Sequence, residues 1–292
     1  MEKELEILSL ADYSERFSVN GCTAYLIINK KMADHQCLFG FAELTENMDD
    51  VRTMFSAMEQ RAKELGYTEL VGPVNYCSWM SYRWAISRYD MKLFPDCTNP
   101  PYYVDYIKQL GYRELYTYRS AEIDINNPMY LAGEPLYRQK LSEGFTFKLF
   151  KGGEAYALAD DIFDISCEAF RGSYLYCDIP REYFNKLYLS WTKGLELIMY
   201  VAYHKGRPVG YVMGYDSPYG DCFVSKTSAV LPSYRKHKVY TALLYLGCKY
   251  VLDKGYKTMM YHFQCEQKDI FRRFEDDIES NEKRYAVFVK EL

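Results

Sequence analysis

The sequence predicts an α/β or α+β fold, with mixed sheets flanked by helices, on three observations. Short apolar runs alternate along the chain with stripes of apolar residues spaced three and four apart, the periodicities of strand and amphipathic helix. A helix, a Gly-Tyr pair and a strand follow one another twice, at Gly66-Tyr67 and at Gly255-Tyr256, which points to a degenerate internal duplication. The 292 residues are 49% hydrophobic and 26% charged, the balance of a soluble globular protein that can bury a core.

In the first half an apolar run, Cys37 to Phe41, precedes a stripe of Val51, Met54, Phe55, Met58, Ala62 and Leu65, which predicts one helical face. Asp49 or Asp50 caps its start and Gly66 ends it in a left-handed conformation. Thr68 to Val71 reads as a buried strand, and a polar, aromatic stretch follows. Tyr103, Tyr106, Ile107 and Leu110 then make a second helical stripe closed by Gly111, and Tyr112 to Ile125 reads as extended.

The second half repeats this order with more elements in front. Thr146 to Phe150 reads as a strand, Ala155 to Phe170 and Arg181 to Thr192 as helices, and Leu197 to His204 and Pro208 to Tyr215 as strands around a Lys205-Gly206-Arg207 turn. Phe223 to Leu231 is a further strand. A helix with Val239, Leu243, Leu246 and Tyr250 on one face follows and ends at Gly255. Strand Lys257 to Phe263, a short helix Lys268 to Phe274 and strand Tyr285 to Val289 complete the chain. Asn126-Asn127-Pro128 to Gly144 reads as a linker, giving units 1–130 and 145–292 around a connection at 131–144.

Composition narrows the function classes. With 36 Lys+Arg against 40 Asp+Glu and a formal charge of -4, the chain lacks the concentrated basic charge that sequence-independent nucleic-acid binding needs. Apolar runs such as Leu197 to Tyr203 are too short for a membrane helix, and the acidic start is unlike a signal peptide. Nine cysteines, with no C-x-x-C pair and no Cys/His cluster at metal spacing, predict a reducing, cytoplasmic setting and no metal site. The 31 tyrosines fit half-buried packing or an aromatic substrate groove.

No dinucleotide-binding glycine motif, Walker A loop, nucleophile elbow or H-E-x-x-H occurs, which removes hydride transfer, ATP hydrolysis and serine hydrolysis as leading readings. The segment from Lys226 to Leu244 stands out: a strand ends at Pro232, a basic loop follows, and an amphipathic helix begins. The unpaired first-turn amides of a helix sit at the positive end of its dipole and can hold a pyrophosphate, with Arg235, Lys236 and Lys238 adding charge. The same pattern also describes a solvated basic loop.

The order of elements over about 145 to 292, together with Val230-Leu231-Pro232-Ser233-Tyr234-Arg235, resembles the GNAT superfamily of N-acetyltransferases. The resemblance implies acetyl-CoA as co-substrate, bound by Ala229, Val230 and the loop Arg235, Lys236, His237, Lys238, Val239, Tyr240 and Thr241. Lys238 and Tyr240 stand where the family has glycines, Glu266 stands in place of a family asparagine, and the following helix offers Arg273 and Phe274 where a thiolate-protonating tyrosine is often found. The first half is similar to a second, truncated GNAT-like unit. Its clusters Gly72 to Arg83 and Asn99 to Tyr103 resemble those of bacterial two-unit acetyltransferase-like proteins.

Amine acetylation needs a neutral nitrogen, hence a base with access to the cleft. His262 is the first candidate, because the family counterpart of its strand splays from a neighbour at the acetyl group; Asp216 and Glu168 are alternatives. Asn75, Ser78, Tyr82 and Arg83 are candidate acceptor-binding residues, or part of a structural loop packing Trp79 and Trp84. Lys226 binds an acidic acceptor or points to solvent. The expected function is acyl-CoA-dependent transfer to a small-molecule or peptide amine. The alternatives are a non-catalytic acyl-CoA-binding or interaction protein on a decayed fold, and a Fem-type aminoacyl transferase.

Overall fold

Twelve strands join in one sheet in the computed structural model, which describes residues 2–125, 131–188, 193–220, 222–268 and 281–292. After a short helix, Glu2–Leu8, come β1 (Tyr13–Val19), β2 (Cys22–Ile28) and β3 (Gln36–Glu43), then helix Met48–Glu64, β4 (Glu69–Gly72), the two-residue β5 (Trp84–Ala85), helix Pro101–Gln109 and β6 (Arg113–Asp124). The second half adds helix Glu134–Ser142, β7 (Phe145–Lys151), helix Ala159–Phe170, β8 (Leu197–His204), β9 (Arg207–Asp216), β10 (Phe223–Val230), helix Val239–Asp253, β11 (Thr258–Cys265) and β12 (Glu282–Glu291).

Local chemistry accounts for these elements. Asn20 and Gly21, with φ of 46° and 94°, make the turn between β1 and β2, the conformation that an Asn-Gly pair tolerates best. Helix Met48–Glu64 buries the predicted stripe Val51, Met54, Phe55, Met58 and Ala62. Its cap is Asn47, whose side chain accepts the Asp49 amide at 3.0 Å, so Asp49 and Asp50 fall in the first turn beside the positive dipole end. Gly66, at φ 88°, closes it as expected.

Each half builds the same motif. Three antiparallel strands (β1-β2-β3, and β8-β9-β10) lead into a helix, and the next strand pairs parallel to the last of the three. The sheet order is β1-β2-β3-β4-β12-β6-β11-β10-β9-β8-β7. Thus β12, from the end of the chain, lies antiparallel to β4, and β6, from the first half, lies antiparallel to β11. The two halves share one sheet: they exchange their last strands, which pair with each other at the centre.

The expected connection contains a helix. Residues 134–142 form a helix, and the preceding Gly133 lies so close to helix Val239–Asp253 that a Cβ there would come within 2.8 Å of Tyr245 and 2.9 Å of the Thr241 carbonyl. The Asn126-Asn127-Pro128 segment lies outside the described residues, as do most of the expected helix Lys268–Phe274 and the end of the one expected over 181–192. Of the latter, Arg181–Tyr183 is α-helical and Phe184–Tyr188 a π turn.

Candidate active site

The parallel pairing of β10 with β11 covers only Phe223–Ser225 against Met259–Tyr261, and beyond it the two strands diverge. Both carry a bulge where they part. Against β9, the register of β10 skips Lys226; against β6, the register of β11 skips His262 and Phe263. A bulge turns the side chain of the extra residue out of its regular alternation. Phe263 sits at φ 57°, a left-handed conformation that a bulky residue adopts only at a cost, and its amide bonds the Ser120 hydroxyl at 3.2 Å.

A cavity of about 260 Å³ occupies the divergence, walled by Lys226, Thr227 and Ser228 of β10 and by Phe263, Gln264 and Cys265 of β11. Aromatic rings close it: Trp79, Tyr82, Tyr116, Tyr118, Phe170, Tyr174 and Tyr176. An adjoining cavity of about 490 Å³ shares Ser78, Trp79, Tyr82, Arg83, Lys226 and Phe263 with the first and adds Asn75. All five residues expected to bind the acceptor therefore line one continuous wall. Asn75 is also structural: its Oδ1 accepts the Phe41 amide at 2.7 Å.

Arg83 is 9% exposed, with the ring centroids of Tyr82, Phe263 and Tyr118 at 3.7, 4.1 and 4.2 Å from its Cζ. Lys226 Nζ lies 5.2 Å from the Phe263 ring. Burial, and then the charge of Arg83, push the Lys226 ammonium down to about 7.

His262 lies on the diverging strand as expected, but its ring faces away from the cavity and is 1% exposed. Nε2 is 2.6 Å from the Pro95 carbonyl, which can only accept, so the proton sits there; Nδ1 then accepts from Ser120 Oγ at 2.7 Å. Burial first, and the charge of Lys226 second, hold its pKa well below the ordinary value. With both nitrogens bonded, this neutral histidine fixes the 95 loop to β11 and has no nitrogen open to an acceptor. Asp216 is at the other end of β9, opposite Phe223 and paired with Lys254 at 2.7 Å. Glu168 is exposed on helix Ala159–Phe170. Neither lines the two cavities.

The β10-to-helix connection is a 3-10 turn, Pro232–His237, followed by Lys238 and helix Val239–Asp253. Arg235, Lys236, His237 and Lys238 are exposed, while Ala229, Val230 and Val239 are buried and Thr241 is half-buried. Arg235 Nη2 donates to the Ala169 carbonyl, tying the turn to the C-terminus of helix Ala159–Phe170. Lys238 adopts φ 56° and ψ 26°, the left-handed conformation for which a glycine is suited. Tyr240 is half-buried and packs against the core cluster that holds Ala229, Val230 and Val239. The turn thus offers exposed cations and the first-turn amides of a 15-residue helix, a set that suits a pyrophosphate.

Sequence reasoning missed Phe263 and Tyr118, which cage Arg83, and Asp96, which lines the larger cavity. Asp96 pairs with the buried Lys283 at 2.7 Å and accepts from Tyr285 at 3.1 Å. Among the described residues, no group of three or more His, Cys, Asp or Glu could hold a metal, and no helix is long and apolar enough to cross a membrane.

The site thus lies in a mixed sheet flanked by helices, where two parallel strands part ahead of a strand-turn-helix junction. Residues 159–270 match the Acetyltransferase (GNAT) family, so this part of the chain is a GNAT domain. A GCN5-related glucosamine N-acetyltransferase region of a fungal multi-domain GH3 beta-N-acetylglucosaminidase is similar in fold, with TM-score 0.52 and 9% identity over 99% of this chain and 34% of that one. This chain thus spans about a third of that protein. A tandem GNAT protein from the clavulanic acid biosynthesis pathway gives TM-score 0.49 and 12% identity over 92% of this chain and 78% of that one. A GCN5-related N-acetyltransferase from Sphaerobacter thermophilus gives 0.46 and 14% over 93% and 76%. No curated protein matches the chain.

Proposed function

We propose that this protein is an acyl-CoA-dependent N-acyltransferase that passes an acetyl or related acyl group to the amine of a small-molecule or peptide acceptor by direct attack. The observation that carries this reading is the divergence of β10 and β11 beyond Ser225 and Tyr261, with a cavity in the gap and a basic helix start at the end of the same strand. Beyond Ser225, β10 leaves its parallel ladder with β11, and the gap between the two strands gives a thioester room beside β10. Exposed Lys236 and Lys238, the remaining donors of Arg235 and the first-turn amides of helix Val239–Asp253 hold the pyrophosphate of acetyl-CoA.

The acceptor enters through the cavity lined by Ser78, Tyr82 and Arg83. Lys226, held near pH 7, takes the base role first sought at His262: its neutral form can accept the proton of an incoming ammonium.

Calorimetry with CoA tests the reading. One CoA per chain is expected, with binding weakened roughly tenfold when Lys236 and Lys238 are both replaced by alanine. A folded protein that shows no binding at millimolar CoA overturns it. Lys238 and Tyr240 at family glycine positions favour one second reading, a non-catalytic acyl-CoA-binding protein; its signature is CoA binding without thioester consumption across a panel of amines.

A further inference from the structure

Arg83 presents an unresolved charge at the centre of the cleft. Its guanidinium is nine-tenths buried, lines both cavities described above, and also lines a third of about 770 Å³ on the side of the first half. Nη1 is sealed from solvent and has no hydrogen-bond acceptor. No carboxylate among the described residues pairs with Arg83, and Asp96, which lines the same cavity, is held by Lys283 and Tyr285. Three aromatic rings within 4.2 Å of Cζ compensate a buried cation only in part. A buried guanidinium donor left unpaired is costly, and such a group in a cleft calls for a ligand that completes it.

Resting on the acyl-transfer reading, we propose that the acceptor is an amino carboxylate with an apolar or aromatic side chain, its carboxylate docked on Arg83. The forked N–H edge of a guanidinium ringed by aromatic side chains is matched by a planar carboxylate. Trp79, Phe170, Tyr174 and Tyr176 supply the apolar wall for the side chain. The amine is then left on the side of Lys226, toward the diverging strands.

The test compares L-phenylalanine, L-phenylalaninamide and inorganic phosphate as ligands of the full chain by calorimetry, with quenching of tryptophan fluorescence that is lost in Trp79→Phe as a second readout. L-phenylalanine is expected to bind at least tenfold more tightly than its amide, a difference reduced in Arg83→Lys and lost in Arg83→Met. Equal affinity for the two, no binding of L-phenylalanine, or unchanged discrimination in a folded Arg83→Met overturns the inference. Phosphate binding more tightly than L-phenylalanine overturns the carboxylate assignment. The wild-type comparison stands even where Arg83→Met fails to fold. CoA binding, measured separately, distinguishes the two failures: CoA bound without carboxylate discrimination sinks this inference alone, and discrimination without CoA binding sinks acyl transfer alone.

Discussion

The Asn75 side-chain carbonyl accepts the Phe41 amide at 2.7 Å, in the gap where β3 and β4 diverge beyond Leu38 and Val71. This gap is the first half's counterpart of the β10/β11 divergence. Here the chain fills it itself: the Val74 amide bonds the Phe39 carbonyl at 2.7 Å, and a Cβ on Gly40 would come within 2.4 Å of the Val74 carbonyl. An internal amide thus lies in the first half where the second half has a cavity.

Asn75→Ala should accordingly lower stability by about 1–2 kcal/mol, because it orphans the Phe41 amide in a packed site. Denaturant midpoints measure this, and an unchanged midpoint would show that the bond contributes nothing. The same variant should leave the number of CoA molecules bound at one per chain.

Lys238→Gly separates backbone strain from charge. At φ 56° the lysine bears the steric cost of a left-handed conformation, and glycine removes that cost while adding freedom to the unfolded chain. The net expectation is a gain of ~0.5–1 kcal/mol in thermal unfolding, together with weaker CoA binding from the lost charge. A variant that is less stable would contradict the strain account.

Much of this was legible in the sequence, for identifiable reasons. Helix Met48–Glu64 buries its side chains at the three- and four-residue spacing, a local property. In helix Val239–Asp253, Val239 and Leu243 are buried as expected, but Tyr245, Cys248 and Val251 take the buried positions expected for Leu246 and Tyr250. The sheet it packs on covers a face rotated from the one the apolar spacing marks. The β1/β2 hairpin went unpredicted although its signal, Asn20-Gly21, was present between polar-alternating strands. The acceptor residues were visible as a cluster, since 75–83 is one continuous segment. His262 was placed on the correct strand, yet its partners Ser120 and Pro95 are 142 and 167 residues away, so its lack of an open nitrogen could not be read from one strand. Lys226 and Phe263 face the cleft through bulges, and a bulge is a relation between two strands that a single-strand pattern does not carry.

Stability should depend on pH through Lys226. Its folded pKa, about 7, lies below the ordinary lysine value, because burial and Arg83 disfavour the ammonium. Between these values the unfolded chain binds more protons than the folded one. The penalty is therefore fully present below pH 7 and is relieved as pH rises, adding about 1–3 kcal/mol of stability by about pH 9.5. The other titratable groups facing the same cavity are Lys3, Glu4, Tyr82, Arg83, Asp96 and Cys97, and His262 lies behind it; the lowered pKa of His262 confines its own effect to acid. Cys177, held down to about 7, acts with the same sign, whereas the buried Cys37, Cys97 and Cys248, pushed up to about 12, act with the opposite sign, so the comparison needs Lys226→Met. Urea unfolding at both ends of the range should show a shallower pH dependence in that variant; identical slopes would rule Lys226 out as the source.

The strand exchange predicts that neither half folds alone. Every strand partner of β12 (β4, β5 and β6) lies in the first half, and both partners of β6 (β11 and β12) lie in the second. Residues Tyr285, Ala286, Val287, Phe288 and Val289 are each 0% exposed, and the larger of these side chains contribute roughly 1.5–3 kcal/mol apiece when buried. Their loss is comparable with the 5–15 kcal/mol that typically separates folded from unfolded domains. Polypeptides 1–130 and 145–292 expressed separately should therefore give poorly dispersed NMR spectra and no cooperative melt, whereas co-expression should yield a stable complex in which β6 and β12 regain their partners. A cooperative melt from 145–292 alone would mean that β12 can pair with β11 inside its own half, in the place that β6 takes in the whole chain.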